Sequence, residues 1–163
     1  MKCLIVSDIH GERETFHHIL KQETYDHVIS LGDSELKATD LKAVGSLIHG
    51  NAHMDLGQSL KVETFQGLTV VMTHGHLVHV HQGDEGLIQS LNVHRAHLIM
   101  HGHTHVARFV KHPLGYILNP GAIYGPRGSW PASYAILDIQ YHTFTVTFKT
   151  LQQTIIQTEQ GVF

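Results

Sequence analysis

At 163 residues, 42% of them hydrophobic and 15% charged, the chain can bury a substantial core and does not have the composition of a disordered segment. A formal charge of −3, with the 11 Lys and Arg scattered, leaves no basic patch for nucleic acid or an anionic membrane. Cys3 is the only cysteine, which excludes an intramolecular disulfide and a cysteine-built zinc site.

These bounds predict one domain over residues 1–163 in a cytoplasmic setting. The apolar run after Met1-Lys2 has only four residues, too short for a signal-peptide core or a membrane span. That run, Cys3-Leu4-Ile5-Val6, predicts a buried strand stopping at Ser7-Asp8-Ile9-His10-Gly11. Phe16, Ile19 and Leu20 follow at i, i+3 and i+4, the spacing of an amphipathic helix from about Glu12 to Glu23. His27 to Leu31 predicts a second strand, stopped by Gly32-Asp33. Leu36, Leu41 and Val44 suggest a short helical passage, and Ser46 to His49 a weaker strand ending at Gly50-Asn51. Strand, helix, strand, helix, strand is the order of a layered α/β fold with parallel strands.

The second half is richer in strands. Lys61 to Gln66 and Leu68 to Thr73 flank Gly67 as a hairpin, and the latter runs into His74-Gly75-His76. Gly83 to Leu91 predicts a short helix, and Leu98-Ile99-Met100 a strand leading to His101-Gly102-His103-Thr104-His105. Arg108 to Val110, Tyr116 to Leu118, Tyr134 to Ile139 and Thr143 to Phe148 read as successive strands punctuated by Pro and Gly. Residues 151–163 read as a strand or a fraying tail, too polar between Gln152 and Gln160 to assign. Two sheets face to face with helices outside is the economical architecture.

Lining up the strand ends exposes a pattern. Asp8 and His10 follow the first strand, Asp33 the second, Asn51 the third, His74 a later one, and His103 with His105 another. The edge beyond the carboxyl ends of strands is where layered α/β folds bind ligands. Asp33, Asn51 and His103 each follow a glycine, and a sharp turn there would aim the side chains toward a common point. An extended backbone at His103-Thr104-His105 would send both histidines into one cleft and Thr104 away. Seven oxygen and nitrogen donors without sulfur are too many for one tetrahedral zinc and suit two divalent cations, with Asp33 as the candidate bridge. Two such ions about 3.5–4 Å apart clamp the attacking and leaving oxygens of an in-line displacement at phosphorus. Asp8 and Asp33 together return only two of their four positive charges, so the site would attract a phosphate ester and generate a bridging hydroxide near neutral pH. The mixed Asp, Asn and His set fits Mn²⁺ best, with Fe, Ni or Zn as alternatives.

Asp8-x-His10, Gly32-Asp33, Gly50-Asn51, Thr73-His74-Gly75-His76 and Gly102-His103-Thr104-His105, in this order, resemble the five motifs of the calcineurin-like metallophosphoesterases. More narrowly, the chain resembles the small one-domain bacterial and archaeal phosphodiesterases related to a retromer subunit. Asn119-Pro120-Gly121 with Pro126-Arg127 matches a later segment of that group. The resemblance implies a four-layered α/β/β/α sandwich of two mixed β-sheets flanked by helices. It implies one metal on Asp8, His10, Asp33 and His105, and another on Asp33, Asn51, His74 and His103. It also implies a phosphodiesterase for a small phosphate-ester substrate; in the mechanism expected here, Asn51 and His74 help hold the phosphoryl oxygens.

The sequence departs from the family where a histidine often follows the Asn and protonates the leaving group. Here Ala52-His53-Met54-Asp55 follows, so His53 is a candidate general acid shifted by one position. His76 could line the substrate pocket or hydrogen-bond to a ligand, Arg127 could contact phosphate or cap a turn, and the other histidines, His79 and His81 among them, read as solvated. The alternative function is a non-catalytic scaffold that keeps the fold for protein contacts, as in the retromer subunit. A lactamase-type metallohydrolase lacks its His-x-His-x-Asp-His run. Homo-oligomerisation is left open.

Overall fold

The computed structural model describes residues 1–53 and 55–163. Among these, one six-stranded and one five-stranded mixed sheet are flanked by two α-helices. In chain order the elements are β1 (Lys2–Val6), α1 (Arg13–Gln22), β2 (His27–Ser30), β3 (Ser46–Leu47), β4 (Leu60–Phe65) and β5 (Leu68–Thr73). A 3₁₀ turn (His76–Val78), α2 (Glu85–His94), β6 (Leu98–Met100), β7 (Arg108–His112) and β8 (Gly115–Asn119) follow. The chain closes with β9 (Ser133–Gln140), β10 (Thr143–Thr150) and β11 (Ile155–Val162). The larger sheet has the order β11-β10-β9-β1-β2-β3, the smaller β4-β5-β6-β8-β7. β1, β2 and β3 are parallel, as are β5, β6 and β8, so the carboxyl ends of both parallel sets open toward one edge.

The pleat explains why these strands read as unbroken apolar runs. Cys3 and Ile5 of β1 enter the core between the sheets with Val70, Met72, Leu98, Met100 and Leu137. Their neighbours Leu4 and Val6 face the opposite side, packing with Phe16 and Ile19 of α1. On the far face of the other sheet, Val71, Ile99 and Ile117 meet Leu87 and Leu91 of α2. A strand covered on both faces has no polar face to show, and the four layers are α1, sheet, sheet and α2.

The predicted helical passage through Leu36, Leu41 and Val44 is instead a run of turns, closed by Asp40 N–H to the Lys37 carbonyl and Val44 N–H to the Leu41 carbonyl. Leu36 and Leu41 are buried under α1, but their five-residue separation misses helical spacing, and Arg13 Nε donates to Asp40 at 2.8 Å to hold the loop. α2 begins two residues later than expected and runs three further, to His94. The polar tail is a strand, β11, at the sheet's edge, where outward side chains meet water.

Candidate metal centre

The loops after β1, β2, β3, β5 and β6 meet at one sheet edge and are laced by backbone bonds. Asp8 and His10 donate N–H to the carbonyls of Gly32 and Asp33, Gly102 to that of His74, and Arg127 to that of His105. Among the described residues, two triads converge there: Asp8, His10 and His105, and Asp33, His74 and His103. These are six of the seven residues that the sequence brings forward, with Asp33 grouped here with His74 and His103. The seventh, Asn51, lines the same cleft, its backbone N–H donating to Asp33 Oδ1 at 2.7 Å.

The histidines are oriented from behind. His74 Nδ1–H donates to the Leu31 carbonyl, His105 Nδ1–H to the Gly125 carbonyl and His10 Nδ1–H to Glu35 Oε2, each at 2.7 Å. These bonds select the tautomer whose Nε2 lone pair points into the site. His10 Nε2 and His105 Nε2 then face each other at 3.3 Å, with Asp8 Oδ1 3.2 Å from His105 Nε2. His74 Nε2 is buried without a hydrogen-bond partner, 3.3 Å from Asp33 Oδ2 and 3.9 Å from Asp8 Oδ1. Lone pairs converging with no donor among them fit a cation and repel one another without it.

Asp33 lies between the triads, its Oδ2 also 3.9 Å from His10 Nε2. Its Oδ1 accepts the N–H groups of Asn51 and Ala52 at 2.7 and 2.8 Å, so one oxygen, rather than both, faces the triads. Burial raises the pKa of the Asp33 carboxyl, but the neighbouring His74 and these two N–H groups outweigh it and hold the group ionised. Burial opposes protonation of His74, yet the adjacent carboxylates of Asp33 and Asp8 and the Leu31 carbonyl raise its pKa. Burial, then His74 and His81, push His103 down to about 4, keeping its imidazole neutral and able to ligate.

The backbone differs from what the sequence suggested. Asp8, His10, Asp33, His103 and His105 all have left-handed φ, between 45° and 67°, so the pair His103 and His105 is presented by a turn, not an extended segment. Thr104 does turn away, its hydroxyl accepting from Asn119 Nδ2 at 3.0 Å. The glycines at Gly50 and Gly102 supply room: a Cβ at Gly50 would lie 2.3 Å from the Asp33 nitrogen, and one at Gly102 would meet Ser7 Oγ. Beneath the loops, buried Asp55 accepts from Asp33 N and Gly50 N through Oδ2, and from Ser34 N and Ser34 Oγ through Oδ1, at 2.7–3.1 Å.

His10, Asp33, His103 and His105 of the triads open on a cleft of about 760 Å³ lined also by Glu12, Glu35, His81, Tyr124 and Arg127. Of these, the sequence raises Arg127, and His81, read there as solvated, is exposed on the cleft wall. His53 is solvent-exposed and does not line the cleft. His76 is half-buried, its ring centroid 5.5 Å from that of His74, with Nδ1 buried and unpartnered; desolvation, then the charge of His74, lower its pKa.

Comparison with known proteins agrees with this geometry. Residues 1–142 match the family model of the calcineurin-like phosphoesterase superfamily domain. The "Probable metallophosphoesterase YsnB" of Bacillus subtilis is 32% identical over 153 residues, covering 91% of this chain and 90% of its own. In fold, the chain resembles a conserved Streptococcus pneumoniae protein described as a predicted phosphoesterase, with TM-score 0.89, 23% identity, and coverage of 99% and 97% of the two chains. It also resembles zinc-complexed Vps29 of Entamoeba histolytica, with TM-score 0.80, 21% identity and 99% of each chain covered.

Proposed function

Because the chain belongs to the calcineurin-like phosphoesterase superfamily, and so to the metal-dependent phosphoesterases, we propose that it is a binuclear phosphodiesterase. The observation that carries this reading is the pair of acceptor-only triads sharing the Asp33 and Asp8 carboxylates as a common wall. Asp8, His10 and His105 would hold one divalent ion and His74, His103 and Asn51 the other, with Asp33, which lies between the triads, available to both. When bound, two such ions act as Lewis acids on the phosphoryl oxygens and lower the pKa of water for in-line attack.

The chain's own groups do the rest. Asp8 and Asp33 supply the negative charge of the donor set, and the Nδ1 contacts of His10, His74 and His105 fix where each Nε2 points. Asn51, exposed in the cleft and tied by its N–H to Asp33, is placed to receive a phosphoryl oxygen, and Arg127 offers a cation near His105. Glu12 and Glu35 on the cleft wall favour a diester, with one negative charge, over a monoester, with nearly two. The cleft has volume for a group on each side of the phosphorus.

An Asp, Asn and His donor set is hard enough for Mn²⁺, and zinc in one fold neighbour makes Zn²⁺ the first alternative. β10 and β11 complete the sheet that β1 begins, which supports reading residues 1–163 as one such domain. No helix among the described residues is long and apolar enough to cross a membrane, and the lone, buried thiol of Cys3 fits a cytoplasmic protein. Likeness in fold to Vps29 supports the scaffold alternative, which requires no turnover with metal, whereas all seven donors are present here.

The test is hydrolysis of bis(4-nitrophenyl) phosphate beside 4-nitrophenyl phosphate, with and without Mn²⁺. Asp33→Ala should lose bound metal and diester hydrolysis together. Undiminished hydrolysis by that variant refutes the mechanism, and wild-type protein inert with every metal leaves the scaffold.

A further inference from the structure

One imidazole in the cleft belongs to neither triad. His81 lines the cleft with its ring centroid 4.6 Å from that of His103. His10, His74 and His105 each commit Nδ1 to a fixed acceptor, whereas the His81 ring makes no hydrogen bond among the described residues. His53, the sequence candidate for work at the leaving group, lies outside the cleft.

The His81 loop is also held. Asp84, three residues on, accepts from Arg108 Nη1 at 3.2 Å and Nη2 at 2.6 Å. The same guanidinium donates from Nη2 to His101 Nε2 at 3.1 Å, and His101 is fully buried just before Gly102-His103. One bidentate ion pair therefore ties the loop carrying His81 to the loop carrying His103.

We propose that His81 is the leaving-group contact of the phosphoesterase, an assignment that rests on the function given above. A water oxygen bonds to phosphorus and releases its proton to solvent. The opposite P–O bond breaks with its electron pair passing to the departing oxygen. An imidazole N–H of His81 donates a hydrogen bond to that oxygen until solvent supplies its proton. Neutral and cationic imidazole both carry an N–H, so the role requires no change of charge on His81.

The test compares kcat/KM of Mn²⁺-loaded wild type, His81→Ala and His81→Asn on methyl aryl phosphodiesters whose leaving groups run from 4-nitrophenol to phenol. His81→Ala should lose about tenfold or more with phenol, the worth of a hydrogen bond to a developing charge, and about twofold or less with 4-nitrophenol. His81→Asn keeps an N–H and should recover most of the loss. Both variants should bind the wild-type amount of manganese by elemental analysis. A loss equal on every ester, no loss at all, or a loss of bound metal would overturn the assignment, the last by placing His81 among the ligands. A wild type inert toward all the esters would remove the phosphoesterase reading and this one together. An active wild type with a leaving-group-independent variant removes this one alone.

Discussion

Asp55→Asn keeps the shape of a buried side chain and changes one of its oxygens into a donor. Asp55 Oδ2 holds Asp33 N and Gly50 N, and Oδ1 holds Ser34 N and Ser34 Oγ. The amide keeps the first pair by turning its NH₂ toward Ser34, whose hydroxyl can rotate to accept. Ser34 N–H is then left facing a donor, a buried group worth about 1–3 kcal/mol when unpaired, and the surviving bonds lose their charge assistance. Together these give about 3 kcal/mol. For a chain of this length that lowers the melting temperature by about 10 °C. Asp55 ties Asp33 to Gly50, so affinity for Mn²⁺ should fall as well, although Asp55 does not line the cleft. Thermal melts of metal-free protein and titration calorimetry with Mn²⁺ measure the two effects. A melting temperature unchanged or raised would refute the reasoning, because desolvation of the carboxylate would then cancel its four bonds.

Gly50→Ala places a methyl 2.3 Å from the Asp33 nitrogen, where backbone must move; a loss above about 2 kcal/mol with weaker Mn²⁺ binding is expected, and a wild-type melt would contradict it. His101 is buried, and desolvation, then the Arg108 charge, push its pKa down to about 3, against about 6.5 unfolded. Above pH 6.5 both states are neutral and stability is at its full value. As pH falls from 6.5 toward 3 only the unfolded chain takes the proton, so stability drops by up to about 1.4 kcal/mol per pH unit. Metal-free His101→Gln should be less stable at pH 7 yet lose stability less steeply from pH 6.5 to 5; an equal slope would assign the acid sensitivity to other groups.

The motifs were legible because each sits where an apolar run stops, and runs such as Leu4 to Val6 or Leu98 to Met100 are hard to misplace when both faces are buried. The family resemblance implies two sets of four donors sharing Asp33, and the geometry gathers six of those residues into two groups of three. His81 was not legible. It lies after a 3₁₀ turn among other exposed histidines, and only the tertiary bond between Asp84 and Arg108 singles out its loop. Glu35 and Asp55 act through contacts 25 and roughly 5 to 22 residues away, which no local spacing encodes. The turns from 34 to 45 mimic a helix in the sequence because Leu36 and Leu41 are buried without being helical.

Five of the candidate ligand residues sit in a backbone conformation that costs an L-residue about 1–2 kcal/mol each, less for Asp. Packing and the backbone bonds between the loops hold them there. Were hydrolysis no longer selected, glycine at these positions would relieve strain and remove the crowding of unpaired lone pairs. Catalytic disuse and thermal robustness would then favour the same substitutions, and drift from enzyme toward inert binding platform would run downhill in folding free energy.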